Sequence, residues 1–192
     1  MVRPADGESQ ATWLTLDASG PCTEAALVRG GALVRVVRDD VPEGRPARLA
    51  NLVAGLLATR RVDALAVIVG PGSFTGLRAA IALAHGLADA GGPEAIPVTV
   101  GEAVFALDPT SPGVALPAGA GRMVTERGCP ASVFALVDAV PTSLVWDPRS
   151  APLGIARAAA LRRAGVWAAR LLQPVYAVPP AAIAGTGRSE PR

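Results

Sequence analysis

The fold of this chain is decided by the nonapeptide at residues 70–78, which reads Gly70-Pro71-Gly72-Ser73-Phe74-Thr75-Gly76-Leu77-Arg78. It follows a continuous apolar run at 64–69, which has the length of a strand covered on both faces, as in a parallel sheet. Gly and Pro end that strand, and Ser73 or Thr75 caps a helix predicted from about 74 to 90. The nonapeptide is therefore a tight turn from a buried strand into a helix.

The nonapeptide matches neither a phosphate loop nor a nucleophile elbow. It lacks the ending of a Walker loop and the spacing of GxGxxG, and Pro71 stands where an elbow needs glycine. Backbone N–H groups at such a helix start can still hold an anion, so the turn is a candidate anion site. The candidate residues in it are Gly70, Gly72, Ser73 and Thr75. A capped turn without a ligand is the simpler interpretation and is favoured.

Upstream, strands are predicted at 12–17, 23–29 and 32–38. Gly30-Gly31 between the last two favours a hairpin turn, so the three form an antiparallel meander. A helix follows at 47–58, with apolar residues recurring along one helical face. That apolar stripe consists of Leu49, Leu52, Val53, Leu56 and Leu57.

The second half of the chain is harder to assign. A strand at 96–100 and a short helix at 102–107 complete a βββαβα order, which matches an actin-like fold coarsely, although periodicity alone allows other α/β layers. Further strands are predicted at 113–117 and 132–137, and a helix at 155–161. We therefore divide the chain into a first lobe at 1–108, a reduced second lobe at 109–178 and a flexible tail at 179–192.

The helix at 74–90 is apolar on nearly every side, so every side must be covered. Ala79, Ala82 and Gly86 form a stripe of small residues that lets another backbone come close. Two interpretations stay open: a core helix packed on its own sheet, or a helix with one face on the sheet and another on a partner chain.

Asp17 ends the first predicted strand and is followed by a turn that contains Ser19. In an actin-like fold this turn is where a phosphate-binding loop lies, which adds Asp17 and Ser19 to the candidate anion site. An acid that caps its own turn is the favoured alternative.

Composition excludes several classes of function. All 18 basic residues are arginine, so the chain has no phosphate-loop lysine, Schiff-base lysine or lysine general base. His85 is the single histidine, which makes paired metal-binding histidines impossible, and a partly buried helix residue is its predicted role. A net charge of +2 is too small to argue nucleic-acid binding from charge. No metal or cofactor is predicted.

The location expected of the chain is the cytoplasm. Cys22 and Cys129 form no CxxC pair and fit a reduced protein. The polar start at 1–11 lacks the features of a signal peptide, and no apolar run is long enough to span a membrane.

The nonapeptide closely resembles the GPGSFTGLR signature of the TsaB (YeaZ) family. The opening at 14–19 and 23–28 looks like that family's first hairpin, and residues 98–103 are similar to its segment after the signature helix. Pro174-Val175-Tyr176 resembles the family's C-terminal Pro-x-Tyr. The resemblance covers residues 12–108 well and the rest thinly.

The resemblance implies an α/β, actin-like (ribonuclease H-like) fold with an intact first lobe and a shortened second lobe. It implies a non-catalytic partner of the TsaD catalytic subunit in the complex that makes threonylcarbamoyladenosine on tRNA. A TsaE-like ATPase joins that complex, and tRNA is reached through it. The alternatives are a degenerate actin-like nucleotide-binding enzyme, such as an ATPase or kinase relative, and a remnant of an M22-type peptidase.

The predicted partner surface lies on the helices at 47–58 and 74–90, facing TsaD or a second copy of the chain. The residues assigned to it are Leu49, Leu52, Val53, Leu56, Phe74, Leu77, Arg78, Ala79, Ala82, Leu83 and Gly86. The sequence departs from the family pattern before the first helix, at 45–48, and at 117–123, where an acid and a tyrosine are missing.

Overall fold

The structure is a computed structural model that describes residues 10–41, 45–58, 60–119, 122–137 and 151–176. Strands and helices follow one another along those residues, and each begins and ends as follows. They are β1 Thr12–Asp17, β2 Thr23–Arg29, β3 Ala32–Asp39, α1 Arg45–Leu57, β4 Ala64–Gly70, α2 Phe74–Asp89, β5 Ala95–Thr99, α3 Val100–Leu107, β6 Val114–Gly119, β7 Arg122–Arg127, β8 Val133–Val137 and α4 Ala151–Arg163.

The larger sheet has the strand order β3-β2-β1-β4-β5. The first three strands form an antiparallel meander, while β4 runs parallel to β1 and β5 runs parallel to β4. The meander turns at Gly30 and Gly31, whose φ values of 59° and 74° are the left-handed ones that a two-residue hairpin requires. This order and these directions are those of the ribonuclease H-like, actin-like fold, so the predicted fold class is confirmed.

Helices cover both faces of this sheet. On one face Leu14, Leu16 and Val67 pack with residues of α1 and α2. On the other face Trp13 and Ile68 pack with residues of α3 and α4. All seven residues of β4 are buried, as expected of a parallel strand covered on both faces.

A smaller antiparallel sheet of order β6-β7-β8 follows. Its apolar residues Val114, Leu116 and Val124 join the core that α3 and α4 form with the larger sheet. Helix α4 lies directly on α3: a Cβ at Gly154 would stand 2.9 Å from the carbonyl carbon of Ala103. The helix predicted in the second lobe therefore packs across the first sheet, and the lobe boundaries stay a prediction. The tail at 179–192 lies outside the described residues.

Strand β7 is absent from the sequence prediction, which is wrong here. Its residues, RMVTER, are polar at both ends and lack an alternating apolar pattern. It is a strand because it is paired on both edges, with β6 and with β8. Tertiary pairing outweighs its weak local preference.

Candidate functional site

Two turns meet at one edge of the larger sheet. Strands β1 and β4 are parallel neighbours, with Leu16 in register with Val67, so both carboxyl ends lie at that edge. The turn after β1 contains Asp17 and Ser19, and the turn after β4 is the nonapeptide at 70–78. The two parts of the predicted anion site are therefore brought together.

The two turns bind each other. The backbone N–H of Ser73 donates to the carbonyl oxygen of Ser19 at 2.7 Å. A Cβ on Gly72 would lie 2.6 Å from the Cβ of Ser19, and a Cβ on Gly76 would meet the carbonyl oxygen of Ala18. Since no side chain fits there, the glycines of the nonapeptide allow a close approach of two backbone segments.

Asp17 is engaged by its own turn. Its Oδ1 accepts hydrogen bonds from the backbone N–H of Ser19 at 2.8 Å and from the Ser19 hydroxyl at 2.7 Å. Burial raises the pKa of Asp17, and these two hydrogen bonds offset only part of the rise. The turn-capping role favoured from the sequence is confirmed for this carboxylate.

The start of α2 is capped as predicted. The Oγ of Ser73 accepts from the backbone N–H of Gly76 at 3.3 Å, which makes Ser73 the N-cap, while Thr75 is exposed on the first turn. Two N–H groups of the nonapeptide are thus bound within the chain. An anion site here stays a prediction, with fewer donors available than the sequence indicates.

The C-terminal part of the described chain runs across the end of β4. The backbone N–H of Val175 donates to the carbonyl oxygen of Val69 at 2.7 Å. Gly70 lies against this segment with a φ of +137°, and a Cβ there would be 3.2 Å from the carbonyl carbon of Val175. The nonapeptide and the Pro-x-Tyr motif, about a hundred residues apart in sequence, are therefore in contact.

An aromatic and cationic cluster forms where these motifs meet. The rings of Phe74 and Tyr176 are stacked with their centroids 5.3 Å apart. The guanidinium carbon of Arg78 lies 3.9 Å from the centroid of the Phe74 ring, and its Nε donates to the Tyr176 hydroxyl at 3.1 Å. Phe74 and Arg78 are exposed, so this cluster is accessible from outside the chain.

The exposed face of α2 continues from this cluster. Ala82, His85 and Gly86 are exposed, and Ala79 and Leu83 are half-buried. The prediction that His85 is partly buried is wrong, because it lies on the side of α2 that faces away from the sheet. The outward position of Ala82 and Gly86 means that the small-residue stripe is not covered by the described part of this chain.

Four residues assigned to the partner surface lie in the core instead. Leu49, Val53, Leu56 and Leu77 are each at most 2% exposed and pack against the larger sheet. The apolar stripe of α1 faces its own sheet, and the sequence assignment of these four side chains to an exposed surface is corrected accordingly. Leu52 is half-buried and stays at the margin.

A buried ion-pair network joins α3, α4 and the segment after α4. Glu102 is fully buried, and its Oε1 accepts from Arg162 at 2.6 Å and from Arg170 at 2.8 Å. Burial raises the pKa of Glu102, but hydrogen bonds from Arg162 and the backbone of Thr99 outweigh it and leave the pKa below its ordinary value. The spacing of Thr99 and Glu102 is that of a capping box, which is the signal the sequence analysis missed.

A second buried carboxylate, Glu126, connects β7 to the start of α3. It accepts from the backbone N–H of Gly101 at 2.7 Å, from the Ser132 hydroxyl at 2.5 Å and from the Thr99 hydroxyl. Burial raises the pKa of Glu126, and the hydrogen bonds offset only part of the rise. Burial likewise raises the pKa of the neighbouring Cys129 thiol to about 12, so that thiol stays protonated and unreactive.

Among the residues that the structure describes, no group of three or more His, Cys, Asp or Glu side chains is placed to hold a metal ion. Over the same residues, no helix has the length and apolar character needed to cross a membrane.

No protein-family model and no curated protein matches the sequence. Solved structures do match. YeaZ from Pseudomonas aeruginosa has a TM-score of 0.64 and 22% identity over 87% of this chain and 100% of that chain. A second structure, described as an uncharacterized protein with similarity to peptidase YEAZ from Pseudomonas aeruginosa, has a TM-score of 0.55 and 26% identity over 72% of this chain and 71% of that one. The chain has the fold of these proteins, and they confirm its resemblance to the TsaB (YeaZ) family.

Proposed function

We propose that this chain is a non-catalytic partner protein of the complex that forms threonylcarbamoyladenosine on tRNA, where it supports a TsaD-like catalytic subunit. The observation that carries the proposal is the exposed face of α2, which begins within the nonapeptide. The likeness to YeaZ supports the family, and the reaction and the partner are inferred from the resemblance.

The exposed face of α2 has the properties of a helix-docking surface. A Cβ added at Gly86 would meet nothing within 4 Å, and Ala82 beside it is also exposed and small. Small residues let the backbone of a partner helix approach closely. At the amino end of the same helix stand Phe74 and Arg78, residue types that are enriched in protein interfaces.

The turns at the sheet edge support a role without catalysis. Phosphoryl transfer needs charge on the phosphates and a positioned base. Here the Asp17 carboxylate accepts from Ser19, the Ser73 N–H is bound by the Ser19 carbonyl, and the whole sequence contains no lysine. The groups that a nucleotide or a peptide bond would require are engaged in holding the two turns together.

The remaining partners follow from the same proposal. A TsaE-like ATPase and tRNA are reached through the complex, and the setting is cytoplasmic. A second copy of the chain competes with TsaD for the exposed face of α2.

Reconstitution tests the proposal. The tagged chain and the TsaD of the same organism are expected to elute together from a size-exclusion column. The yield of threonylcarbamoyladenosine on tRNA is expected to fall when the chain is left out of a mixture containing TsaD, TsaE and the donor-forming enzyme. Failure of the two proteins to associate, or full modification without the chain, would contradict it. Nucleotide or peptide hydrolysis by the purified chain would favour one of the enzymatic alternatives instead.

A further inference from the structure

Arg78 is a charged side chain held in place before any partner arrives. Its Nε is fixed by the hydroxyl of Tyr176 at 3.1 Å, and its guanidinium lies over the ring of Phe74 at 3.9 Å. Tyr176 is itself held, because it stacks on Phe74 and because the preceding Val175 N–H donates to the end of β4 at 2.7 Å. The exposed guanidinium therefore has a defined orientation.

The charge of Arg78 is not balanced within the described chain. Elsewhere in that part of the molecule arginines pair with acids, as Arg38 does with Glu24 and Arg162 with Glu102. The contacts of Arg78 are with a phenol and a ring, neither of which carries a negative charge. With Nε used by Tyr176, its terminal nitrogens remain for a planar acceptor, and a carboxylate matches that geometry.

We propose that Arg78, fixed by Tyr176 and Phe74, is a preorganised anchor that pairs with a carboxylate of the TsaD-like subunit docking on the exposed face of α2. The inference rests on the proposed function for the presence of that subunit and adds the chemistry of the contact. Ordering a long side chain on binding weakens association, and here the ordering precedes binding. Tyr176 is a positioning residue, since it acts through Arg78.

Calorimetric titration of the chain with purified TsaD tests this inference. Arg78→Met keeps the apolar stem and removes the charge, and we expect Kd to rise about tenfold or more, since an ionic hydrogen bond is lost. Arg78→Lys is expected to restore only part of the affinity, because an ammonium lacks the planar fork. The matched control is Arg157→Met, which removes the same charge from an exposed position on α4 and is expected to change Kd by less than about twofold.

Tyr176→Phe separates positioning from structure, since it removes only the hydroxyl and keeps the stack. We expect Kd to rise about threefold in the wild-type background and not at all in the Arg78→Met background. A purely structural role would give the same loss in both backgrounds. Thermal unfolding of each variant, expected to match the wild type, checks that the fold is intact.

The chain contains a single tyrosine, which gives a readout without any partner. Labelled with 3-fluorotyrosine, it should show one fluorine resonance that Arg78→Met shifts and Arg157→Met does not.

The outcomes separate the two proposals. Association of the wild-type chain with TsaD that Arg78→Met leaves unchanged would overturn the anchor alone. No association with TsaD would overturn the proposed function and this role of Arg78 with it. Self-association that both Arg78→Met and Asp89→Asn abolish, without TsaD binding, would overturn the assignment to TsaD in favour of a second copy. A fluorine resonance that Arg78→Met does not move would overturn the positioning by Tyr176.

Discussion

Gly72 is the residue at which the nonapeptide touches the turn after β1. A Cβ at this position would lie 2.6 Å from the Cβ of Ser19, closer than side-chain atoms approach in folded proteins. We predict that Gly72→Ala lowers the free energy of unfolding by about 2 kcal/mol, because the two turns must separate to admit the methyl group. Chemical denaturation measures the change.

The matched control for Gly72 is Gly55→Ala. Gly55 lies on the exposed side of α1, and a Cβ there would meet nothing within 4 Å. The same added methyl should raise the free energy of unfolding by roughly 0.5–1 kcal/mol, since alanine favours helix more than glycine does. Equal stability of the two variants would show that the turns are not in the close contact described.

The buried carboxylates Glu126 and Glu102 should respond to pH in opposite directions. The pKa of Glu126 is raised in the folded chain by burial, so its contribution to stability is present below its ordinary value of 4.5 and is lost as pH rises through the folded pKa. We therefore predict that Glu126→Gln gains stability relative to the wild type as pH rises from about 5 to about 8.

The pKa of Glu102 is lowered, because the hydrogen bonds from Arg162 and Thr99 outweigh the effect of burial. Its contribution is present above the ordinary value of 4.5 and is lost as pH falls through the folded pKa, so Glu102→Gln should lose least at low pH. Urea unfolding over this range measures both differences. The same pH trend for both variants would contradict the assigned directions.

At the scale of the element, α2 presents one face to the sheet and another to solvent. We predict that Ala82→Arg abolishes association with TsaD or with a second copy, because a bulky charge without a counter-charge would enter a close helix contact. Since Ala82 is exposed, the isolated chain should keep its free energy of unfolding within about 0.5 kcal/mol. Size-exclusion chromatography and circular dichroism measure the two effects.

Ala131→Arg is the control for this substitution, since it adds the same charge at an exposed turn before β8. It should leave association intact. Unchanged association in Ala82→Arg would remove this face of α2 from the interface.

Helix α4 is tied to α3 by the buried pair of Arg162 and Glu102. Arg162 Nη2 lies 2.6 Å from Glu102 Oε1, and its Nε also donates to the carbonyl of Ala168 at 2.8 Å. We predict that Arg162→Met lowers the free energy of unfolding by about 3 kcal/mol, because a buried carboxylate loses one of its two cations.

Arg157→Met on the same helix is the control, and its effect should stay within about 0.5 kcal/mol because Arg157 is exposed. Thermal unfolding compares the two variants. A loss of equal size in both would show that helix propensity, rather than the buried pair, is responsible.

At the scale of the whole molecule, the sheet edge where an actin-like fold would bind phosphate is closed by contacts between its own turns. We predict that the isolated chain does not turn over ATP, since Asp17 and the Ser73 N–H are engaged with Ser19. Phosphate release from the purified chain measures this. Steady hydrolysis that survives purification and disappears in Asp17→Ala would contradict the prediction.

The sequence alone determined the larger sheet, its meander and the strand-turn-helix at 70–78. These features depend on local patterns: the period of apolar residues, paired glycines at a hairpin and a serine at a helix start. The capping roles of Asp17 and Ser73 were also within reach, because each bonds to a residue at most three positions away.

Tertiary structure decided which residues lie at the surface and which lie in the core. The apolar stripe of α1 faces the sheet and the small residues of α2 face outward, and periodicity cannot tell which covered face belongs to the chain itself. The contacts of Arg78 with Tyr176 and of Glu102 with Arg162 join positions 98 and 60 residues apart. Such pairs form only where the parallel strands and the packing of α4 bring distant segments together, so no local pattern predicts them.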